Sequence, residues 1–289
     1  MNSITVKAYA KINLGLDVLR KRADGYHDVC MIMQSLNLHD VITLREEEAQ
    51  GLTVRTNLPY LPTNQDNLVY KAASLFRQTL GITAGLSIEL EKRIPVAAGL
   101  AGGSSDAAAT LLGLNRLYEA GLSKEELKQL GVRLGADVPY CIMLGTALSE
   151  GIGEVLTPLP HMPSCSILLV KPDISVSTRH VYENLRLGAD SIHPDIEAMK
   201  AALSQGDIHA LAKTMDNILQ SVTMKEYPII SEIKDKMKEL GALTSLMSGS
   251  GPTVFGIYQN RDVAKKALNY FRRHQHYGKQ SFLTSPYWP

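Results

Sequence analysis

Cysteine is scarce in this chain of 289 residues: Cys30, Cys141 and Cys165 are widely separated and odd in number. That pattern excludes a disulfide framework and points to a reducing compartment. None of the three stands at a Cys-x-x-Cys or Cys/His metal spacing, and His274-Gln-His276 reads as a solvated surface pair rather than a metal site. A charge excess is also missing, since 30 Lys and Arg against 29 Asp and Glu leave a formal charge of +1. Nucleic-acid binders usually carry a strong basic excess, so this balance argues against nucleic acid as the main partner. No apolar run approaches the roughly 20 residues of a membrane span. The N-terminus alternates like a strand and lacks the apolar block of a signal peptide. What is present, 45% hydrophobic and 20% charged residues, is the composition of a soluble globular chain long enough for two domains. A cytoplasmic enzyme, monomer or homodimer, without membrane or nucleic-acid partners fits these bounds.

The first segment is regular. Ile4, Val6, Ala8, Ala10, Ile12, Leu14, Leu16 and Val18 are apolar at every even position, which is the period of a strand. Lys11 and Asn13 therefore share the opposite, non-core face. Asp24-Gly25 marks a hairpin, with strands expected over 29–37, 41–45, 52–56 and 86–91. Asn67 to Leu80 is amphipathic and closed by Gly81, and Ser123-Lys-Glu-Glu126 is a capping box opening a helix. The proline-rich stretch Thr157 to Pro163 places a boundary between residues 1–158 and 164–289. Beyond it, helices are expected over 177–187, 194–204, 208–222, 228–240 and 262–273, with strands at 167–170, 243–247, 253–258 and 280–284. Helices on one face of a mixed sheet make an α+β arrangement.

The chemistry concentrates in one stretch: Pro95, Val96, Ala97, Ala98, Gly99, Leu100, Ala101, Gly102, Gly103, Ser104 and Ser105, running into an alanine-rich helix from Ala107. Glycines let a ligand approach the main chain, and a helix start offers unpaired N–H groups to an anion. This reads as a cradle for a nucleotide triphosphate. It is neither a P-loop, since no Gly-Lys-Ser/Thr follows, nor a Rossmann turn, since Gly-x-Gly-x-x-Gly is missing. Its cation must then come from elsewhere in the chain. Three further segments carry candidate chemistry: Lys11 with Asn13; Asp137 before Pro139; and Ser248-Gly-Ser-Gly-Pro252. Taken singly they read as a solvated lysine, a helix cap and a tight turn.

Taken in order, they resemble the GHMP kinases, the family of galactokinase, homoserine kinase and mevalonate kinase. Pro95 to Ala108 resembles the family's second motif, and Met247 to Phe255 its glycine-rich third. Ala8-Tyr-Ala-Lys-Ile-Asn-Leu-Gly-Leu-Asp-Val18 with Arg22-Ala-Asp-Gly-Tyr-His27 is similar to one branch, whose acceptor is a small cytidine diphosphate conjugate of methylerythritol. The resemblance covers the whole chain. It implies a two-domain fold, an N-terminal domain like the second domain of ribosomal protein S5 and a C-terminal ferredoxin-like α/β-plait.

The resemblance also implies ATP-dependent phosphorylation of the conjugate's 2-hydroxyl, in non-mevalonate isoprenoid synthesis. Asp137 would act as base and Lys11 would stabilise the transferred phosphoryl group. ATP would bind at Pro95–Ser105 with Mg²⁺ between its β- and γ-phosphates, Ser105 being a candidate ligand. His27 would read the cytosine edge, Tyr26 and Tyr182 would stack on the ring, and Asn13 would contact the methylerythritol end. Asn67 would lie on the adenine side. Phosphoryl transfer rests on positioning and charge stabilisation, so a carboxylate suffices as base. Another small-molecule kinase of the family, a non-catalytic nucleotide binder and an RNA binder remain as alternatives. Asp24-Gly-Tyr-His27 argues against the first, Lys11 with Asp137 against the second, and the near-zero charge against the third.

Overall fold

The computed structural model describes residues 2–188 and 191–289. The described residues form two compact units. The first takes residues up to Ala10, Leu38–Val96 and Ala101–Leu144; the second takes Lys11–Asn37, Ala97–Leu100 and Gly145–Pro289. Two long strands run through both, β1 (Ser3–Lys21) and β2 (His27–Glu47).

In the first unit, β2 pairs antiparallel with β4 (Gly85–Glu91), from Val41↔Glu91 to Glu47↔Gly85. On its other edge β4 runs parallel to β3 (Leu52–Thr56). Alternation leaves Ile42, Leu44, Val54, Leu86, Ile88 and Leu90 buried. The crossover from β3 to β4 is α1 (Leu68–Leu80), which buries Val69, Ala72, Ala73 and Phe76. Asn67 is its N-cap: it accepts from the Val69 N–H and donates to the Pro62 carbonyl at 2.8 Å. That structural duty accounts for both ends of the amide expected on the adenine side. Helix α2 (Gly102–Leu117) packs against α1 and is buried along its alanine-rich face. Then come α3 (Lys124–Val132), opened by the expected capping box, and the short α4 (Val138–Met143).

In the second unit, β2 pairs antiparallel with β5 (Thr146–Gly151), and β5 with β6 (Val155–Pro158). A separate antiparallel sheet follows in the order β10-β7-β9-β8, from Ser166–Lys171 (β7), Thr244–Met247 (β8), Val254–Tyr258 (β9) and Gln280–Thr284 (β10). Helices α9 (Ile229–Glu239) and α10 (Arg261–Arg273) cover it with Ile230, Ile233, Met237, Ala264, Ala267 and Phe271. Helices α5 (Thr178–Asn184), α6 (Ile196–Gln205), α7 (Ile208–Thr214) and α8 (Gln220–Glu226) lie between β7 and β8 in the chain. No helix among the described residues is long and apolar enough to cross a membrane.

Three sequence expectations are corrected. Strands 29–37 and 41–45 are one strand, β2. The polar Asn37 does not break it, because its N–H donates to the Ser285 carbonyl and its amide reaches Ser285 and Pro286. The odd face of β1 is solvated only near its ends, and Lys11, Asn13 and Asp17 are all buried. Met199 and Ile196 of α6 come against the strand at Gly15, where a methyl group would meet Met199 at 2.7 Å. Finally, the helix expected over 208–222 is two helices. Between them the chain pairs with β1, Leu16 donating to Asp216 and Ile218 donating to Leu16, both at 3.0 Å.

Asn217 sits buried in that break. Its Oδ1 accepts from Leu219, and its Nδ2 donates to the carbonyls of Met247 and Gly249 at 2.8 Å each. Asn217→Ala withdraws a buried donor from both carbonyls. The expected cost is about 2 kcal/mol, read as a lower urea midpoint at unchanged m-value.

Candidate active site

Residues 95–105 leave β4 and enter α2 through three left-handed residues, Ala97 (φ 51°), Gly99 (φ 72°) and Ala101 (φ 54°). For alanine this region is strained, and such strain collects at ligand clamps. Ala101 is the N-cap of α2 and has no side chain with which to cap it. The first intrahelical bond runs from the Ser105 N–H to the Ala101 carbonyl at 2.8 Å. The first-turn N–H groups, at the positive end of a 16-residue helix, are thus left for an anion, as the motif predicts. The Ser105 hydroxyl is buried and donates to the Tyr9 carbonyl at 2.6 Å. Its proton is committed, so its oxygen can act only as an acceptor toward a ligand.

The second unit brings three of the candidate segments together. The Lys11 N–H donates to the Leu100 carbonyl at 3.1 Å, joining β1 to the tip of the loop. The Ser248 hydroxyl donates to the Gly99 carbonyl at 2.8 Å, joining the tip to the C-terminal glycine loop. The approach is close enough to require glycine: a Cβ at position 99 would lie 2.2 Å from the Ser248 carbonyl oxygen. Gly249 faces the Asn13 amide from the other side, its Cβ position 3.7 Å from Asn13 Oδ1. The Lys11 ammonium, 5% exposed, donates to Asn13 Oδ1 at 2.8 Å, and Asn13 Nδ2 contacts Met31 Sδ at 3.4 Å. Oxygen and nitrogen of that amide are therefore distinguished, and the ammonium is held in place.

The same unit sets Tyr182 against His27 rather than against Tyr26, its expected stacking partner. The rings of His27 and Tyr182 stand 5.2 Å apart at 44°, while Tyr26 is 59% exposed. Asp24 shapes the hairpin by accepting from the Tyr26 N–H, and Arg22 spans Asp24 and Asp28. Burial, and then the charge of Lys21, hold the His27 imidazole below its ordinary pKa, so it is neutral at pH 7. Helix α5 carries Tyr182 and, at its start, Thr178, whose hydroxyl shares a 2.8 Å hydrogen bond with Ser250 of the glycine loop. In the first unit, Asp137 is the N-cap residue of α4 by position, yet its side chain makes no capping bond. Capping therefore does not account for its carboxylate.

Sequence reading missed Asn217, Thr178 and Thr223, whose hydroxyl donates to the Ser250 carbonyl. All three hold the second glycine loop. For Asn217 a signal existed: Asp216-Asn217 is a poor pair for the middle of a helix. Among the described residues no group of three or more His, Cys, Asp and Glu is placed to hold a metal ion, and His274 and His276 stack on Tyr270 and Tyr277.

Comparison with known proteins agrees with this geometry. The family model of the GHMP kinases N terminal domain matches residues 67–145, and that of the GHMP kinases C terminal matches residues 198–276. A 4-diphosphocytidyl-2-C-methyl-D-erythritol kinase of Lachnoclostridium phytofermentans is 56% identical over 284 residues, 98% of this chain and 97% of its own. One from Lachnospira eligens is 48% identical over the full length of both chains. A crystal structure of 4-(cytidine 5'-diphospho)-2C-methyl-D-erythritol kinase superposes with a TM-score of 0.85 at 34% identity, covering 99% of this chain and 100% of that one. A homoserine kinase from Cytophaga hutchinsonii, 20% identical with a TM-score of 0.82 over 99% of this chain and 95% of its own, shares the fold. With both family models matched in order on either side of the loop contacts above, this chain belongs to the GHMP kinase family.

Proposed function

We propose that this protein transfers the γ-phosphoryl group of ATP to the 2-hydroxyl of 4-diphosphocytidyl-2-C-methyl-D-erythritol, a step of non-mevalonate isoprenoid synthesis. The observation that carries the reading is the meeting of Lys11 and Asn13, the tip of the phosphate loop and the second glycine loop within one compact unit. The names of its relatives support the choice of acceptor. The division into residues 1–158, with the ATP and catalytic motifs, and 164–289 is part of the same proposal, as is a cytoplasmic location.

The roles follow from charge and geometry. Backbone N–H groups of residues 95–105 receive the triphosphate, and the dipole of α2 favours its charge. Lys11 supplies the cation that the loop lacks, compensating charge on the transferred group. Asp137 orients the acceptor hydroxyl and takes its proton late in a loose transition state. Mg²⁺ is a hard ion that keeps waters and binds mainly to phosphate oxygens. The Ser105 oxygen, with its proton given to Tyr9, fits as the one protein donor to such an ion. When bound, Mg²⁺ neutralises charge on the β- and γ-phosphates. Tyr26 and Tyr182 offer faces for the cytosine ring, Asn13 a polar contact for the methylerythritol end, and neutral His27 one ring nitrogen as donor and one as acceptor.

An acceptor assay offering the cytidine conjugate, homoserine and mevalonate side by side with ATP tests the function directly. The conjugate is expected to be preferred by orders of magnitude in kcat/KM, and a preference for either of the others sinks the assignment. Asp137→Asn is expected to lower kcat by roughly 10²- to 10⁴-fold, with ATP affinity by calorimetry near wild type; unchanged turnover removes Asp137 as base. For His27 the depressed pKa sets the sign. The neutral form persists through pH 7, and protonation removes the acceptor nitrogen only below the ordinary imidazole range. The KM for the conjugate should be flat from pH 8 to about 6.5 and rise below it, a rise that His27→Asn abolishes.

A further inference from the structure

Lys92, Asp40 and Asp106 form a buried charge group that the transfer chemistry above leaves unused. The Lys92 ammonium donates to Asp40 Oδ2 and, at 2.7 Å, to Asp106 Oδ2. The three side chains are 4%, 0% and 4% exposed respectively. Two carboxylates thus share one cation, and burial together with the charge of Asp40 pushes the Asp106 carboxyl well above its ordinary pKa. Asp106 Oδ1 is buried without a hydrogen-bond partner. Well-packed apolar residues are often as stable as a buried ion group, or more so, which makes stability a poor reason for this one.

Its placement suggests another reason. Asp40 fixes the strand side of the loop: besides the ammonium, it accepts from the N–H groups of Arg93 and Ile94. Asn57 adds two bonds to the main chain of Lys92, at 2.8 and 3.1 Å. Asp106 is the fifth residue of α2, on the helix side. The chain leaves the first unit after Val96 and re-enters it at Ala101, and Lys92 and Asp106 flank that excursion. Room for the ammonium comes from Gly102, where a Cβ would stand 3.2 Å from both Lys92 Nζ and Ile94 Cγ2. A lysine with both carboxylates already on its ammonium has little left for a phosphate.

We infer that Lys92 is a positioning residue for the nucleotide: its ammonium, gripped by Asp40 on the strand side and Asp106 on the helix side, fixes the spacing of the two limbs of loop 95–105 and so of the N–H groups that receive the triphosphate. This rests on reading that loop as the ATP cradle. A misplacement of about 1 Å in a positioned group can cost on the order of 100-fold. Lys92→Met in the full chain is therefore expected to weaken Mg·ATP binding by calorimetry, and to raise the KM for ATP, by about 10-fold or more. The KM for the cytidine conjugate should stay within about 2-fold and kcat within about 5-fold of wild type.

If the wild-type protein binds no ATP, the cradle reading falls. If it binds ATP and Lys92→Met binds equally well, or if both KM values worsen together, the inference falls and the cradle stands. Should Lys92→Met not fold, Asp40→Asn takes its place, keeping an oxygen for Arg93 and Ile94 while removing one charge from the ammonium. ATP binding weakened by about 3- to 10-fold at unchanged conjugate KM supports the proposal; unchanged ATP binding, or failure of both variants to fold, overturns it in favour of a purely structural ion group.

Discussion

The second unit depends on one side-chain-to-backbone hydrogen bond, from the Ser248 hydroxyl to the Gly99 carbonyl. It joins two glycine loops separated by 149 positions in the chain. Neither loop is regular structure, so neither can hold its own shape. A cradle for phosphate must leave N–H groups unpaired, which removes the bonds that would otherwise rigidify it. The shape is therefore supplied from outside. Gly99 has no Cβ to keep the loops apart, and Leu100 is pinned by the Lys11 N–H. Asn217, Thr178 and Thr223 grip the partner loop through its carbonyls and Ser250 hydroxyl. Each of these side chains spends its hydrogen bonds on positioning, and the glycines contribute only main-chain carbonyls to it.

The same logic explains why polar groups are buried here at all. Lys11 and Asn13 on β1 would cost several kcal/mol if buried unpaired. Paired at 2.8 Å they form a preset cation and amide, held away from bulk water where screening is weak. The loop itself stores strain at Ala97 and Ala101, two residues without glycine's freedom in the left-handed region. Such strain persists only where the surroundings overdetermine the backbone. The ion group of Lys92 in the first unit, and the loop-to-loop contact in the second, are two such surroundings for one loop.

Much of this was legible in the chain. The alternation from Ile4 to Val18, the capping box at Ser123 and the glycine stop at Gly81 are local signals, and each element they mark is present. The glycine loops were legible too, as breaks between regular elements, and the structure brings them together and joins Lys11 to the first. What failed was non-local. Nothing near Lys11 says that α6 will cover its face of β1. Nothing between Ile208 and Val222 beyond Asp216-Asn217 says that β1 will take the middle of that segment as a partner. The Lys92 group was invisible for the same reason, since its three members are drawn from positions 40, 92 and 106, and only the fold shows that one ammonium serves two carboxylates.

On the proposed function, acceptor choice and phosphoryl transfer draw on different parts of β1 and of the hairpin that follows it. Its buried middle stretch carries Lys11 and Asn13, next to glycine loops that lie within the two matched family models. Its far end runs into the charged hairpin of Arg22, Asp24 and Asp28, which presents Tyr26 and His27 at the surface and sets His27 against Tyr182. Exposed ion pairs of this kind add little stability, but two of them on one guanidinium restrict the geometry of the turn between Lys21 and His27. A strand is stiff over such a distance, so a ring bound at the hairpin fixes where the rest of an acceptor must reach. Under the proposed roles, the stretch from Asn13 through the end of β1 at Lys21 to Tyr26 in the turn acts as a ruler, and a shorter acceptor such as homoserine leaves one end of it empty.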